Sequence, residues 1–253
     1  MKNAQVERFT HQFIIYEDKL LPERFHGKLL GVDVLHNNIV MSEISADGAT
    51  FKTRDIERFI SSKDSWFRPV MITDSPDGSV FIADWYDKQV NHYRNHEGNI
   101  DKKLGRIYRV RKKGSGQRKK FNLRMSDELD LIGLLSSESR WLRRMALIEL
   151  KSRKEFNVKS VQWKDNPKNV SQFEFIKNGN YLLDIEKIID PGIRGYSIKS
   201  IAESSNAYRY NEQIKKISLT EKNPEVISQL VSSINTLHES IKVQLLENIL
   251  LRN

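Results

Sequence analysis

Apolar positions alternate with polar ones at two different periods along this chain, and the change of period falls near the middle. Before Gly114 they come in short runs of about four to eight residues bounded by turn formers, the signature of strands. QFIIYE, KLLGVDV, NIVMSEIS and TFKTRDI form a first group, with an Ala-Asp-Gly turn before the last. PVMITD, SVFIADWY, KQVNHY and GRIYRVR form a second, and Pro76-Asp77-Gly78 supplies the hairpin turn between its first two members. Each group of four covers about the 40–45 residues of a propeller blade.

Beyond Lys120 the period becomes helical. SDELDLIGLLSS sets Leu129, Ile132 and Leu135 at helical spacing, with Ser126 as the expected N-cap. ESRWLRRMALIELKSR places Trp141, Met145 and Ile148 beside Leu142 and Leu150 on one broad stripe. In NYLLDIEKIIDPGIRGYSIKSIAES, Asp190-Pro191 ends one segment, and Ile193, Ser197 and Ile201 lead the next helix. Asn223-Pro224-Glu225 opens a further pair, with Val226, Leu230 and Ile234 and then Ile241, Leu245 and Ile249 facing inward. Paired helices joined by short turns are the unit of an α-solenoid. The stretch 154–175 is polar and reads as an inserted loop or a degraded repeat. The expected fold is therefore β plus α: a partial β-propeller of about two blades over 1–112, a basic linker over 113–122 and α-helical repeats over 123–253.

Composition narrows the chemistry. The 253 residues include no Cys, which excludes thiolate metal sites, disulfides, Cys nucleophiles and haem attached through Cys-x-x-Cys-His. The formal charge is +9, but Arg111 to Lys120 alone holds six Lys or Arg and no acid. Most of the excess is thus a solvated linker, and no zinc-finger, RNP or basic-zipper pattern supports nucleic-acid binding. No run of apolar residues is long enough for a membrane span, and MKNAQVERFTHQ lacks the apolar core of a secretory signal.

The strand half resembles a known family. IIYEDKLLPERFHGKLLGVDVLHNNIV, DGATF, SSKDSWFRPVMITDSPDGSVFIADWYD and VNHYRNHEGNIDKKLGRIYRV are similar, in order and spacing, to the last propeller blades of the membrane-bound dehydrogenase family of Planctomycetes-type bacteria. That family is in turn similar to soluble quinoprotein glucose and sorbosone dehydrogenases. The likeness covers Gln12 to Val110, and LLSSESRWLRRMALIEL resembles the first helix pair of the HEAT-like region that follows the propeller there. It implies an exported or periplasmic sugar- or alcohol-oxidising parent that uses pyrroloquinoline quinone and calcium and passes electrons to a cytochrome. Many members carry a haem domain, and this chain has no haem site. Propellers close with about four to eight blades, so two blades read as the end of a longer ring. The expectation is a fragment without activity of its own, its blade edge exposed, and its helical repeats making protein contacts.

Topology nominates the residues. If strands within a blade run antiparallel in sequence order, the start of PVMITD and the end of SVFIADWY lie on one face. That groups Arg68 and Asp64 with Asp84, Trp85, Tyr86 and Asp87. An Arg offers a planar, permanently charged fork to the carboxylates of a quinone. Asp84 and Asp87, with Asp64, supply oxygen ligands of the kind calcium takes. Three readings stay open: an Arg68–Asp84 pair that only locks the joint, a ligand or cofactor contact, and a calcium site. Trp66, Phe67, Trp85 and Tyr86 either stack on a ligand or pack the blade. Asp74 and Asp77 read as turn formers, and Arg143 and Arg194 as ion-pair partners between repeats. His92 and His96 read as loop or strand residues on the face opposite Arg68. No Walker loop, nucleophile elbow, dinucleotide fingerprint or pair of catalytic carboxylates is present.

Overall fold

The computed structural model of the chain describes residues 10–88, 103–116, 122–153 and 184–251. They carry two antiparallel sheets and six α-helices, divided between two compact units. Nearly all strand residues belong to the first unit, and residues 122–137 and 143–253 belong to the second.

Four strands make the first sheet in the order β1 (Thr10–Tyr16), β2 (Lys28–Asp33), β3 (Asn38–Asp47) and β4 (Thr50–Ser61). The second sheet is β5 (Pro69–Asp74), β6 (Val80–Asp84) and β7 (Arg106–Val110). Spatial order therefore follows chain order in both. In the first sheet burial is greatest at β2, buried on both faces from Leu29 onward, and falls off toward β4, which is mostly exposed. In β6, Val80, Ile82 and Asp84 are buried and alternate with half-buried Phe81 and Ala83, the period of two that a pleated strand requires.

One core joins the two sheets: Ile14, Tyr16, Leu30, Val32, Ile39 and Met41 pack with Ile72, Val80 and Ile82. β1 and β5 lie side by side in the same direction. The His11 ring donates from Nδ1 to the Val70 carbonyl at 2.9 Å, and Gln12 Oε1 accepts from Ile72 N–H at 3.0 Å. Further along, the Tyr16 hydroxyl donates to the Gly78 carbonyl at 2.8 Å. Gly78 has φ +80°, and a Cβ there would fall 2.0 Å from Asp18 Oδ1, so the hairpin turn admits only glycine.

Two expectations change here. Arg106–Val110 pairs directly with β6, from Val80↔Val110 to Asp84↔Arg106. It is the third strand of its sheet rather than an outer fourth, and the expected third strand, KQVNHY, falls outside the described residues after Lys88. The β6–β7 connection consequently leaves and returns at the end of the sheet that holds Arg68. His92 and His96, which sit within that connection, lie outside the described residues.

The helices are α1 (Glu128–Leu134), α2 (Arg140–Ser152), α3 (Pro191–Ala202), α4 (Asn211–Thr220), α5 (Pro224–Ser233) and α6 (Glu239–Leu250). Asp127, one residue after the expected Ser126, caps α1, its carboxylate accepting from Asp130 N–H at 2.7 Å. The buried stripe is Leu131 and Leu135 against Ala146 and Leu150, so Leu129 and Ile148 point outward. Both pairs are spaced i, i+4, and in so short a helix the facing partner selects between neighbouring stripes.

α3 and α5 start alike. Asp190 and Asn223 cap them, Pro191 and Pro224 occupy the first turn, and α3 packs on α5 as α4 packs on α6. Ile193, Ser197, Ile201, Val226, Leu230, Ile234, Ile241 and Leu245 are buried as the periodicity requires. Arg194 links the successive pairs: Nε and Nη2 reach Glu221 Oε2 and Oε1 at 2.6 and 3.2 Å, and Nη1 donates to the Ile188 carbonyl at 2.5 Å. Arg143 donates to the Ser137 carbonyl at 2.7 Å. Among the described residues no helix is long and apolar enough to cross a membrane.

Candidate functional site

The end of the first unit where β1 and β5 begin gathers the residues the sequence nominates. Pro69 is paired with Asp84 across β5 and β6, and both the β1–β2 and β5–β6 ladders shift register at this end. Such bulges re-aim side chains at sheet rims.

Asp84 is 4% exposed and Arg68 8%, so both belong to the floor of this rim rather than its surface. They meet through the backbone. Asp84 Oδ1 accepts from the Arg68 N–H at 2.8 Å and from the Tyr86 N–H at 2.9 Å, while Trp85 N–H donates to the Arg68 carbonyl at 2.9 Å. The Arg68 guanidinium turns to carbonyls: Nη1 to Phe67 at 3.1 Å and Nη2 to Lys88 at 2.8 Å. Burial pulls the Arg68 pKa below its ordinary value, and the charges of Asp87 and Asp84 oppose that pull. The cluster therefore acts first as a lock that fixes the start of β5 against the end of β6.

Calcium at Asp84 and Asp87 would find one partnerless oxygen, Asp84 Oδ2, and would share both carboxylates with Arg68. Arg68 is already the counter-charge of both carboxylates, and Asp84 Oδ1 is committed to two N–H donors. Asp64 is exposed, and its Oδ1 caps Trp66 N–H at 2.9 Å.

Above the lock lies an aromatic stack. Tyr86 adopts φ +57°, a left-handed conformation costly for a bulky residue. The Trp66 and Tyr86 rings are 5.7 Å apart and tilted by 34°. Arg106, at the start of β7, holds its guanidinium 4.3 Å from the Tyr86 centroid and donates to the Tyr108 hydroxyl at 3.1 Å. That hydroxyl bond, more than the contact with Tyr86, raises the Arg106 pKa above its ordinary value. Arg106 is exposed where Arg68 is buried, and GRIYRVR reads in the sequence only as a packing strand.

The first sheet contributes to the same rim. Asn37, in the β2–β3 turn at φ +59°, donates from Nδ2 to the carbonyls of Asp64 at 3.1 Å and Phe67 at 2.6 Å. Its neighbour His36 is exposed and directs Nδ1 between Asp33 Oδ1 and Oδ2, at 3.0 and 2.9 Å. Asp33 is fully buried. The only sequence signal for this pair is an Asp and a His three residues apart in a turn.

At the other end of the second sheet, Asp77 is more than a turn former. Its carboxylate accepts from the Ser75 and Ser79 hydroxyls at 2.5 and 2.6 Å and pairs with Arg109. Burial alone would raise its pKa, but these bonds outweigh burial and hold the carboxyl well below the usual range.

Residues 1–114 match a family model described as a domain of unknown function, DUF7133. No curated protein and no solved structure matches the chain.

Proposed function

We propose that the two sheets are neighbouring blades of a β-propeller and that the rim around Arg106 helps bind a carboxylated quinone in a sugar- or alcohol-oxidising protein. The supporting observation is the Trp66–Tyr86–Arg106 stack. A planar aromatic acid finds there a ring face and an exposed guanidinium already oriented by a second aromatic, Tyr108. Sequential strand order, a core shared between sheets and parallel inner strands β1 and β5 are what adjacent blades require. Under this reading other blades complete the ring, and calcium draws its oxygen ligands from them.

Pyrroloquinoline quinone, when bound, supplies the two-electron acceptor. This chain's residues supply placement. Arg106 pairs with a ligand carboxylate, Tyr86 and Trp66 present ring surface, and the Arg68–Asp84 lock keeps Tyr86 in its strained conformation. The electrons pass to a separate cytochrome, and the protein works in an exported compartment. The test is reduction of a redox dye by a ring-complete protein containing these sheets, with quinone and calcium, across a panel of sugars. Quinone-dependent turnover that falls at least about tenfold in Arg106→Gln is expected. No turnover with any sugar removes the enzymatic reading.

A second reading, a propeller and HEAT-like scaffold without redox activity, draws on the helices. The packing of α3 on α5 and of α4 on α6 supports a repeat array, and such an array presents extended surfaces to protein or glycan partners. It predicts glycan or protein binding by the same ring-complete protein with no dye reduction.

A further inference from the structure

We propose that the outer face of α6 is a dimerisation surface, through which two copies of this chain pair with their α6 helices parallel about a two-fold axis. The inference concerns the helical unit alone and rests on neither the quinone reading nor the scaffold reading.

α6 carries apolar side chains on two opposite sides. Ile241 and Leu245, spaced i, i+4, are buried in the helical core, and Ile249 packs against it. Asn248, on the same side, donates to Ser218 Oγ of α4 at 2.8 Å. At 3.6 residues per turn, Val243, Leu246 and Leu250 fall on the opposite side. They are 67%, 42% and 78% exposed. Apolar residues scattered singly over a surface are ordinary, but three on one stripe mark a contact face.

The spacing i, i+3, i+7 is that of a coiled-coil seam, with Val243 at position a, Leu246 at d and Leu250 at the next a. A β-branched residue at a with Leu at d favours two parallel strands. The flanking charges select the occupant. In this register Lys242 takes position g and Glu247 position e, on either side of the seam. In a parallel pair each g residue faces the e residue five positions further along the other helix. Lys242 of each copy therefore meets Glu247 of the other, twice over. An antiparallel pair sets Lys242 near Ile249 and Glu247 near Ser240, and loses both charge pairs. A partner of one sign would match one flank and repel the other, whereas a second copy matches both. One contact opposes pairing: Glu239, a d position, faces its own copy. Lys242 already bonds Glu239 within the chain, which offsets that repulsion. Three seam residues per copy make a small interface, so the dimer is weak and dependent on concentration.

Sedimentation equilibrium of the full chain from about 1 to 300 μM, a span suited to weak association, tests the proposal. The expected result is a monomer–dimer equilibrium that Leu246→Lys weakens at least about tenfold, with helix content by circular dichroism unchanged. Lys242→Glu and Glu247→Lys should each weaken self-association, the first by opposing two acids and the second by opposing two lysines. Mixed in equal amounts, with one of them nitrogen-15 labelled, the two variants should form the mixed dimer in native mass spectrometry. A variant that fails to fold cannot produce that recovery, so the mixture decides the question if Leu246→Lys loses its helix signal. A chain that stays monomeric throughout overturns the proposal. So does a dimer that folded Leu246→Lys leaves intact, which would put the contact elsewhere, such as a sheet edge. A mixture that associates no better than either variant alone also overturns it.

Discussion

Asn37 and Arg68 donate to the same atom. Asn37 Nδ2 and Arg68 Nη1 lie 2.6 and 3.1 Å from the Phe67 carbonyl oxygen, which ties a turn of the first sheet to the segment that leads into β5 of the second. Both donors sit at conformationally committed positions, one in the left-handed region and one buried beside two carboxylates.

Asn37 is predicted to be hard to replace. Asn37→Ala loses two side-chain bonds and also the tolerance of Asn for positive φ. Asn37→Gly loses only the bonds, so it should be more stable than the alanine variant by about 1 kcal/mol. Urea titration followed by tryptophan fluorescence checks the order of the two midpoints.

Asp84 separates charge from hydrogen bonding. Asp84→Asn retains an acceptor for the N–H groups of Arg68 and Tyr86, whereas Asp84→Ala leaves both donors unpaired. The alanine variant should lose about 2–4 kcal/mol, and the asparagine variant less than half of that. Equal losses in urea titration would mean that charge, not the backbone lock, is what Asp84 supplies.

Asp77 predicts an acid-sensitive turn. Its folded pKa is depressed, so its stabilising effect is complete above the unfolded carboxylate value of about 4. That effect disappears as pH falls through the folded value. Urea midpoints measured from pH 6 to 2.5 should show the wild-type protein falling faster than Asp77→Asn, with the gap between them closing. A gap that stays constant contradicts the assignment.

Arg194→Lys tests the tie between helix pairs. The guanidinium makes two bonds to Glu221, whose side chain is 8% exposed, and a lysine replaces them with a point charge. A loss of about 1–3 kcal/mol is expected from helix-monitored unfolding.

Legibility in the sequence followed the strength of local patterns. β1 to β6 were readable because alternation and turn chemistry agree, and the grouping of Arg68 with Asp84 followed from strand direction alone. The position of β7 was not readable: Arg106–Val110 carries no mark that says which strand it joins, and only pairing with Val80–Asp84 decides it. Leu129 was misread because α1 offers two leucine stripes and α2 selects one. α4 was missed because NEQIKKISLT begins without a strong cap, its Tyr210 N-cap making no side-chain bond. The contacts of His36 and Arg106 were missed for a different reason. They come from Asp33, Tyr86 and Tyr108 as spatial partners, and spacing along the chain does not announce them.

The central claim concerns the exposed stack of Arg106 on Tyr86, and titration of pyrroloquinoline quinone into the protein, read by quenching of tryptophan fluorescence, tests it directly. Saturable quenching that weakens at least about tenfold in Arg106→Gln is the predicted result. Binding of equal strength in the wild-type protein and in Arg106→Gln, or no saturable binding to either, would contradict it.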